Sequence, residues 1–91
     1  MAKPRLSRAF AIHLASVRSP IAAGEEWTRL AAELDLDPSI GQLLPQRIEV
    51  PGSGVYYRVE GGPFATRAEA AAACAPLADA GQYCAVVGLE D

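Results

Sequence analysis

The sequence contains no apolar run close to the roughly 20 residues that a membrane-spanning helix requires, so no span is predicted within this chain. It also lacks a strong charge of either sign. Eight lysines and arginines against eleven aspartates and glutamates give a formal charge of −3 and an isoelectric point near 5.0. This balance excludes a general attraction to nucleic acid or to an anionic bilayer, so any binding must depend on a local surface.

Residues that usually carry catalysis are scarce. His13 is the one histidine, and no serine stands in the Gly-x-Ser-x-Gly frame of a nucleophile elbow. Several glutamates occur together in residues 25–33, but at helical spacing they fall away from the apolar stripe, as on a solvated helix face. We therefore predict a protein that is not an enzyme and that needs no cofactor.

Only two cysteines are present, which permits one disulfide but does not by itself favour one. Together with His13, Cys74 and Cys84 supply enough ligand types for a metal site. Strand alternation, however, places His13 and Cys84 on opposite faces of a sheet, so we predict no metal site. A disulfide and two reduced core cysteines both fit the pattern.

What the sequence does have is an ordinary globular composition, with 51% apolar and 21% charged residues. A chain of 91 residues is long enough for one domain. We interpret residues 1–8 as a basic linker, residues 9–88 as the domain and residues 89–91 as a tail.

The apolar periodicity predicts strand, helix, strand, strand, helix, strand. The first strand spans 9–17 and the first helix 21–34, with Ser19 as N-cap and Pro20 at its first position. After a loop over 35–44, strands at 46–50 and from Tyr56 onward form a hairpin, and the second ends at Gly61-Gly62-Pro63. Thr66 and Glu69 form a capping box for a helix that ends at Gly81, and 82–88 is the last strand.

This order predicts an α+β fold of the ferredoxin-like, or RNP-like, βαββαβ kind: a four-stranded antiparallel sheet with both helices on one face and the first and third strands in the centre. In the hairpin, Val50 would lie opposite Val55 and Arg47 opposite Arg58. The helices would cover Ile12, Leu14, Ile48, Val50, Tyr57, Val59, Cys84 and Val86. The other face would display His13, Ala15, Arg47, Glu49, Tyr56, Arg58, Glu60, Tyr83 and Ala85.

An RNA-binding module shares this fold and is a second hypothesis. The third strand lacks the Gly-Phe/Tyr-x-Phe signature that stacks bases, and the charge is negative. We therefore predict no nucleic-acid partner.

Two segments resemble the SPOR domain family of bacterial cell-envelope proteins. They are Ala-Ile-His-Leu-Ala-Ser-Val at 11–17 and Tyr-Arg-Val-Glu-Gly-Gly-Pro-Phe-Ala-Thr at 57–66, the second followed by an alanine-rich helix and Gly81. The resemblance covers about Ala9 to Gly88. It implies a periplasmic or cell-envelope location and binding to peptidoglycan, chiefly to glycan strands that have lost their stem peptides at division sites. It also implies a disulfide between Cys74 and Cys84.

The resemblance places the glycan on the open face of the sheet, against His13, Ala15, Ser16, Tyr56 and Arg58. Arg58 and Arg47 could pair with lactyl carboxylates, and Tyr56 and Tyr83 could lie against sugar rings. A surface that docks another envelope or division protein, with weaker glycan binding, is the alternative function.

Overall fold

The computed structural model describes residues 9–89, which form an α+β domain. The helices are α1 (Pro20–Leu34) and α2 (Arg67–Asp79). The strands are β1 (Phe10–Val17), β2 (Gly41–Gln42), β3 (Gln46–Val50), β4 (Gly54–Phe64) and β5 (Ala85–Gly88). The predicted linker at residues 1–8 lies outside this range. Neither helix is long and apolar enough to cross a membrane.

Both helices begin where the sequence predicts. The Ser19 hydroxyl accepts a hydrogen bond from the Ala22 amide at 3.0 Å, and Pro20 is the first residue of α1. At α2, Thr66 Oγ1 accepts from the Glu69 amide and Glu69 Oε1 accepts from the Ala65 amide. The bonds from the Ala22 and Glu69 amides satisfy donors that a helix leaves without internal partners, and so fix where each helix starts.

The sheet confirms the predicted antiparallel βαββαβ fold, with one strand more than expected. β4 and β1 are the central pair, β5 flanks β1, and β2 and β3 both pair with β4 along its other side. The additional strand, β2, lies in the segment predicted as a loop. It is only two residues long, which is too short to produce an alternating pattern in the sequence.

The sequence predicts that β4 ends at its glycines, but the strand continues to Phe64. Gly61 pairs with Ile12, and Phe64 pairs with Phe10. Between these pairs two residues of β4 lie opposite one residue of β1, which is a β-bulge. Gly61 is retained within the strand because the ring of Trp27 packs directly on it. A Cβ built on Gly61 would lie 2.8 Å from Trp27 Cη2. The glycine therefore marks a close approach of helix and strand.

The predicted hairpin register is wrong by one residue. Arg47 pairs with Tyr57, Ile48 with Tyr56 and Val50 with Gly54. Because side chains alternate along a strand, a slip of one residue moves every side chain of β3 to the other face. Ile48 and Val50 therefore leave the predicted core, and Arg47 and Glu49 leave the predicted open face.

β3 is also an edge of the sheet, and its own residues limit further pairing there. Pro45 precedes the strand and Pro51 follows it. Between them Arg47 and Glu49 form an exposed ion pair at 3.6 Å. Proline and charge at an edge disfavour the addition of another strand.

The core lies between the sheet and the two helices. Its buried cluster consists of Ile12, Leu14, Leu30, Ala70, Cys74 and Leu77. Trp27, Leu34, Cys84 and Val86 pack against this cluster, in agreement with the prediction. A disulfide joins Cys74 of α2 to Cys84, just before β5, as the family resemblance implies.

Candidate functional site

The face of the sheet opposite the helices, called the open face below, carries a cluster of polar and aromatic side chains. His13 pairs with Glu60 across the two central strands, and Ser16 pairs with Arg58. The Tyr83 ring meets the His13 ring edge to face at 5.5 Å between centroids. Four residues of the predicted site therefore lie close together, namely His13, Ser16, Arg58 and Tyr83.

A bulge in β1 decides which residues reach this face. Between His13 and Ala15 the register shifts, so Ala15 pairs with the fully buried Val59 and not with Arg58. Directly paired side chains share a face, so the predicted position of Ala15 on the open face is wrong. The same shift brings Ser16 beside Arg58.

His13 is fixed by contacts within its own strand. Its Nε2 lies 3.0 Å from the Ala15 carbonyl oxygen and 3.2 Å from the Ser16 hydroxyl. A carbonyl oxygen only accepts, so Nε2 carries the proton and donates it to Ala15. In the neutral ring Nδ1 is then a hydrogen-bond acceptor.

Burial holds the pKa of His13 below its ordinary value, and the neighbouring positive charge of Arg58 lowers it further. The hydrogen bond to Ala15 and the negative charge of Glu60 oppose this shift without overcoming it. The ring is therefore neutral at neutral pH. In that state it adds a hydrogen-bonding group and an aromatic edge to the open face, but no charge.

The shift of His13 predicts a pH-dependent stability. The folded protein holds a proton on this ring less tightly than the unfolded chain does. The neutral His13 ring therefore contributes to the free energy of unfolding at neutral pH. That contribution is lost progressively as the pH falls from neutral through 6.5, the ordinary pKa of the ring, and below it. Urea unfolding across this range should show a declining free energy of unfolding, and the decline should be smaller in His13→Gln. Equal slopes in both proteins would contradict the assignment.

Arg58 is partly committed to a partner inside the protein. Its Nη1 lies 3.7 Å from Oε2 of Glu60, whose side chain is only 3% exposed. Among residues 9–89, that buried Glu60 oxygen and Arg58 Nε have no hydrogen-bond partner. A buried carboxylate is costly without a nearby cation, so Arg58 first of all compensates Glu60.

Arg18 belongs to the candidate site but was missed by sequence reasoning. Its guanidinium lies over the Tyr56 ring, 4.2 Å from the centroid. Nη1 donates to the carbonyl oxygens of Ser53 and Val55, each at 3.1 Å. Strict alternation from Ile12 and Leu14 would turn Arg18 toward the helices. The bulge in β1 reverses this alternation and turns Arg18 to the open face. The position of Arg18 therefore follows only from the bulge, which the sequence does not indicate.

The structure thus brings together His13, Ser16, Tyr56, Arg58 and Tyr83, and adds Arg18 beside Tyr56. Arg47 and Ala15 lie elsewhere. Among residues 9–89 no group of three or more histidine, cysteine or acidic side chains could hold a metal ion. The arrangement offers two aromatic rings, fixed cations and several hydrogen-bonding groups on a shallow surface.

The SPOR domain family model matches residues 6–88, nearly the whole chain. No curated protein and no solved structure matches it significantly. SPOR domains are non-catalytic modules that bind peptidoglycan in division proteins of the cell envelope. The disulfide is consistent with that extracytoplasmic setting. On this match, and with a fold that agrees with it, the chain belongs to the SPOR domain family.

Proposed function

We propose that the open face binds peptidoglycan glycan strands that have lost their stem peptides, and that it directs the protein containing it to the division site. The observation that carries this proposal is the placement of Arg18 over Tyr56, on the same sheet face as the His13–Tyr83 ring pair. Cations next to aromatic rings suit a ligand that alternates carboxylates with the apolar faces of sugar rings.

The chemistry of a denuded strand explains the selectivity. Removal of the stem peptide leaves a free carboxylate on each lactyl group, which can accept charge-assisted hydrogen bonds from a guanidinium. A strand that keeps its peptides has an amide at that position. The amide carries no charge and adds bulk above a face whose features are shallow. Denuded strands should therefore bind more tightly than intact ones.

Arg18 is the better carboxylate partner of the two arginines on this face. Arg58 is 31% exposed and its charge is offset by the buried Glu60 at 3.7 Å. Arg18 is exposed, and its hydrogen bonds within the protein go to neutral carbonyl groups through Nη1 alone. Within residues 9–89 no acidic side chain pairs with it. We therefore propose Arg18 as the main carboxylate-binding residue, with a smaller part for Arg58, in place of the sequence-based pair Arg58 and Arg47.

Co-sedimentation with purified sacculi, amidase-treated and untreated, tests the proposal. The parent chain should pellet preferentially with treated sacculi. Arg18→Ala should weaken that binding about tenfold, the loss expected for one charge-assisted hydrogen bond of roughly 1.4 kcal/mol. Arg58→Gln should weaken it less, and added salt should reduce the difference between parent and Arg18→Ala.

Arg47→Ala is the matched control. It removes one arginine from β3, where Arg47 pairs with Tyr57 and lies on the other side of the sheet from Arg18 and Arg58, so sacculus binding should not change. Urea unfolding of each variant separates loss of binding from loss of folding. If the parent pelleted equally with both kinds of sacculi, the selectivity for denuded strands would be wrong. If Arg18→Ala bound as well as the parent, the role of Arg18 would be wrong.

The cellular location follows from the same proposal. Peptidoglycan lies outside the cytoplasmic membrane, and a disulfide persists in an oxidising compartment. We therefore place this domain in the periplasm or its equivalent. Fractionation with antibody against the domain, together with thiol labelling of the fractions, would locate it and show whether the cysteines are oxidised there.

A further inference from the structure

The side of the domain opposite the open face carries an apolar cleft of about 540 Å³ between the end of α1 and α2. Large side chains form much of its lining, namely Leu34, Leu36, Ile40, Phe64 and Leu77. A volume of this size is typical of a ligand pocket. The cleft is far from the sheet surface used in the proposed function, and the inference below does not depend on that function.

α2 presents apolar residues to this cleft as well as to the core. Ala70, Cys74 and Leu77 are buried against the sheet, whereas Ala72, Pro76 and Ala80 are exposed and line the cleft at a spacing of four residues. A helix with apolar residues all round is usually packed on both sides. Within residues 9–89, the outer side of α2 has no such partner.

Carboxylates stand at the edge of the cleft where the helix dipole disfavours them. Glu33, Asp35 and Asp37 surround the C-terminal end of α1, and α2 ends at Asp79. Neither helix has a basic residue in its last turn. The end of a helix carries a partial negative charge, which favours a cation at this position and not an acid.

The described cations relieve this excess of negative charge only at Glu33. Arg29 pairs with Glu33 at 2.9 Å and with Glu26 on the outer side of α1. The Asp37 carboxylate accepts from Ser39, and no described lysine or arginine lies within ion-pair distance of Asp35 or Asp37. An incoming cation would therefore gain from both the carboxylates and the helix ends.

We propose that this cleft binds a short segment of a partner protein in which large apolar side chains are flanked by lysine or arginine. The apolar side chains would fill the space between the helices, and the cations would pair with Asp35 and Asp37. Because the cleft and the open face are on opposite sides of the sheet, the domain could hold its partner while it is bound to the cell wall.

Two synthetic peptides test the proposal by NMR titration of the isotope-labelled full chain: a short amphipathic peptide of lysine and leucine, and its counterpart with glutamate in place of lysine. The lysine peptide should shift the amide signals of the cleft and leave those of Tyr56 and Arg58 unchanged. The glutamate peptide should bind at least tenfold more weakly. Equal binding of both, no binding of either, or shifts confined to the open face would overturn the proposal.

Three variants locate the interaction. The first variant combines Glu33→Gln, Asp35→Asn and Asp37→Asn, which removes the three negative charges but keeps side chains that form hydrogen bonds. Asparagine at position 35 also tolerates the left-handed backbone conformation of Asp35. This triple variant should bind the lysine peptide about tenfold more weakly. Ala72→Tyr should block the cleft, whereas Ala75→Tyr, which is exposed on α2 but does not line the cleft, should have no effect.

Sacculus pelleting and sedimentation velocity complete the test. All three variants should pellet with sacculi like the parent. Loss of peptide binding at the cleft is thereby distinguished from loss of glycan binding at the open face. If the parent formed dimers that Ala72→Tyr abolished, the occupant would be a second copy of this chain and the proposal of a basic partner segment would be overturned.

Discussion

Replacing Cys74 and Cys84 together with alanine should lower the free energy of unfolding by about 3 kcal/mol. The disulfide closes a loop with a sequence separation of 10 residues, and restricting the unfolded chain over such a loop is worth roughly 2–3 kcal/mol. Cys74 is also buried in the core cluster, so its sulfur contributes packing. Folded domains are typically stable by only about 5–15 kcal/mol, so this loss is a large share of the total.

Urea denaturation measures this effect, and the parent protein with reductant is the control that leaves every side chain in place. Reduced parent and oxidised parent should differ by most of the loss, with the small remainder due to the truncated side chains. A mass spectrum of the oxidised parent should show no free thiol. If oxidised parent and double variant unfolded at the same urea concentration, the disulfide would contribute nothing to stability.

Gly61→Ala should lower the free energy of unfolding by about 2 kcal/mol. Its Cβ would lie 2.8 and 2.9 Å from two carbon atoms of the Trp27 ring and 3.1 Å from Ile40 Cγ2. No pair of carbon atoms tolerates the two shorter distances, so α1 or β4 must move. Overpacking of this kind typically costs about 1–3 kcal/mol. Thermal or urea unfolding of the purified variant would measure the loss.

Two further variants show whether the cause is this contact. Trp27→Phe removes the two ring atoms that clash, so Gly61→Ala should cost less in that background than in the parent. Gly24→Ala is the matched control, since its Cβ meets nothing within 4 Å. In the interior of α1 it should raise stability by up to about 1 kcal/mol. A similar loss in both glycine variants would contradict the packing explanation.

Much of the fold could be predicted because its signals are local. Ser19 with Pro20 and Thr66 with Glu69 are short capping patterns, and each helix begins where its pattern indicates. The apolar periodicity then assigned the helices and the four longer strands, and their order limited the topology to very few choices. β2 was missed because a pairing of two residues has no periodicity.

The parts that could not be predicted depend on registers between strands. The turn at 51–54 gave no reason to pair Val50 with Gly54 in preference to Val55, yet that single step moves Arg47 off the open face and brings Ile48 to it. The bulge after His13 is equally invisible in the sequence, and it removes Ala15 from the site and adds Arg18. The predicted face is therefore correct for His13, Tyr56 and Arg58 and wrong for Ala15 and Arg47, while glycan binding by these residues stays a prediction.

The proline residues and the ion pair of β3 have a consequence for crowding. If the domain binds as proposed, many copies would lie close together on one length of cell wall. An unprotected edge strand could then pair with the edge strand of a neighbouring copy. Pro45, Pro51 and the Arg47–Glu49 pair oppose such joining. We therefore expect neighbouring copies on one glycan strand not to join through β3, so that this edge gives the protein no tendency to polymerise along the cell wall.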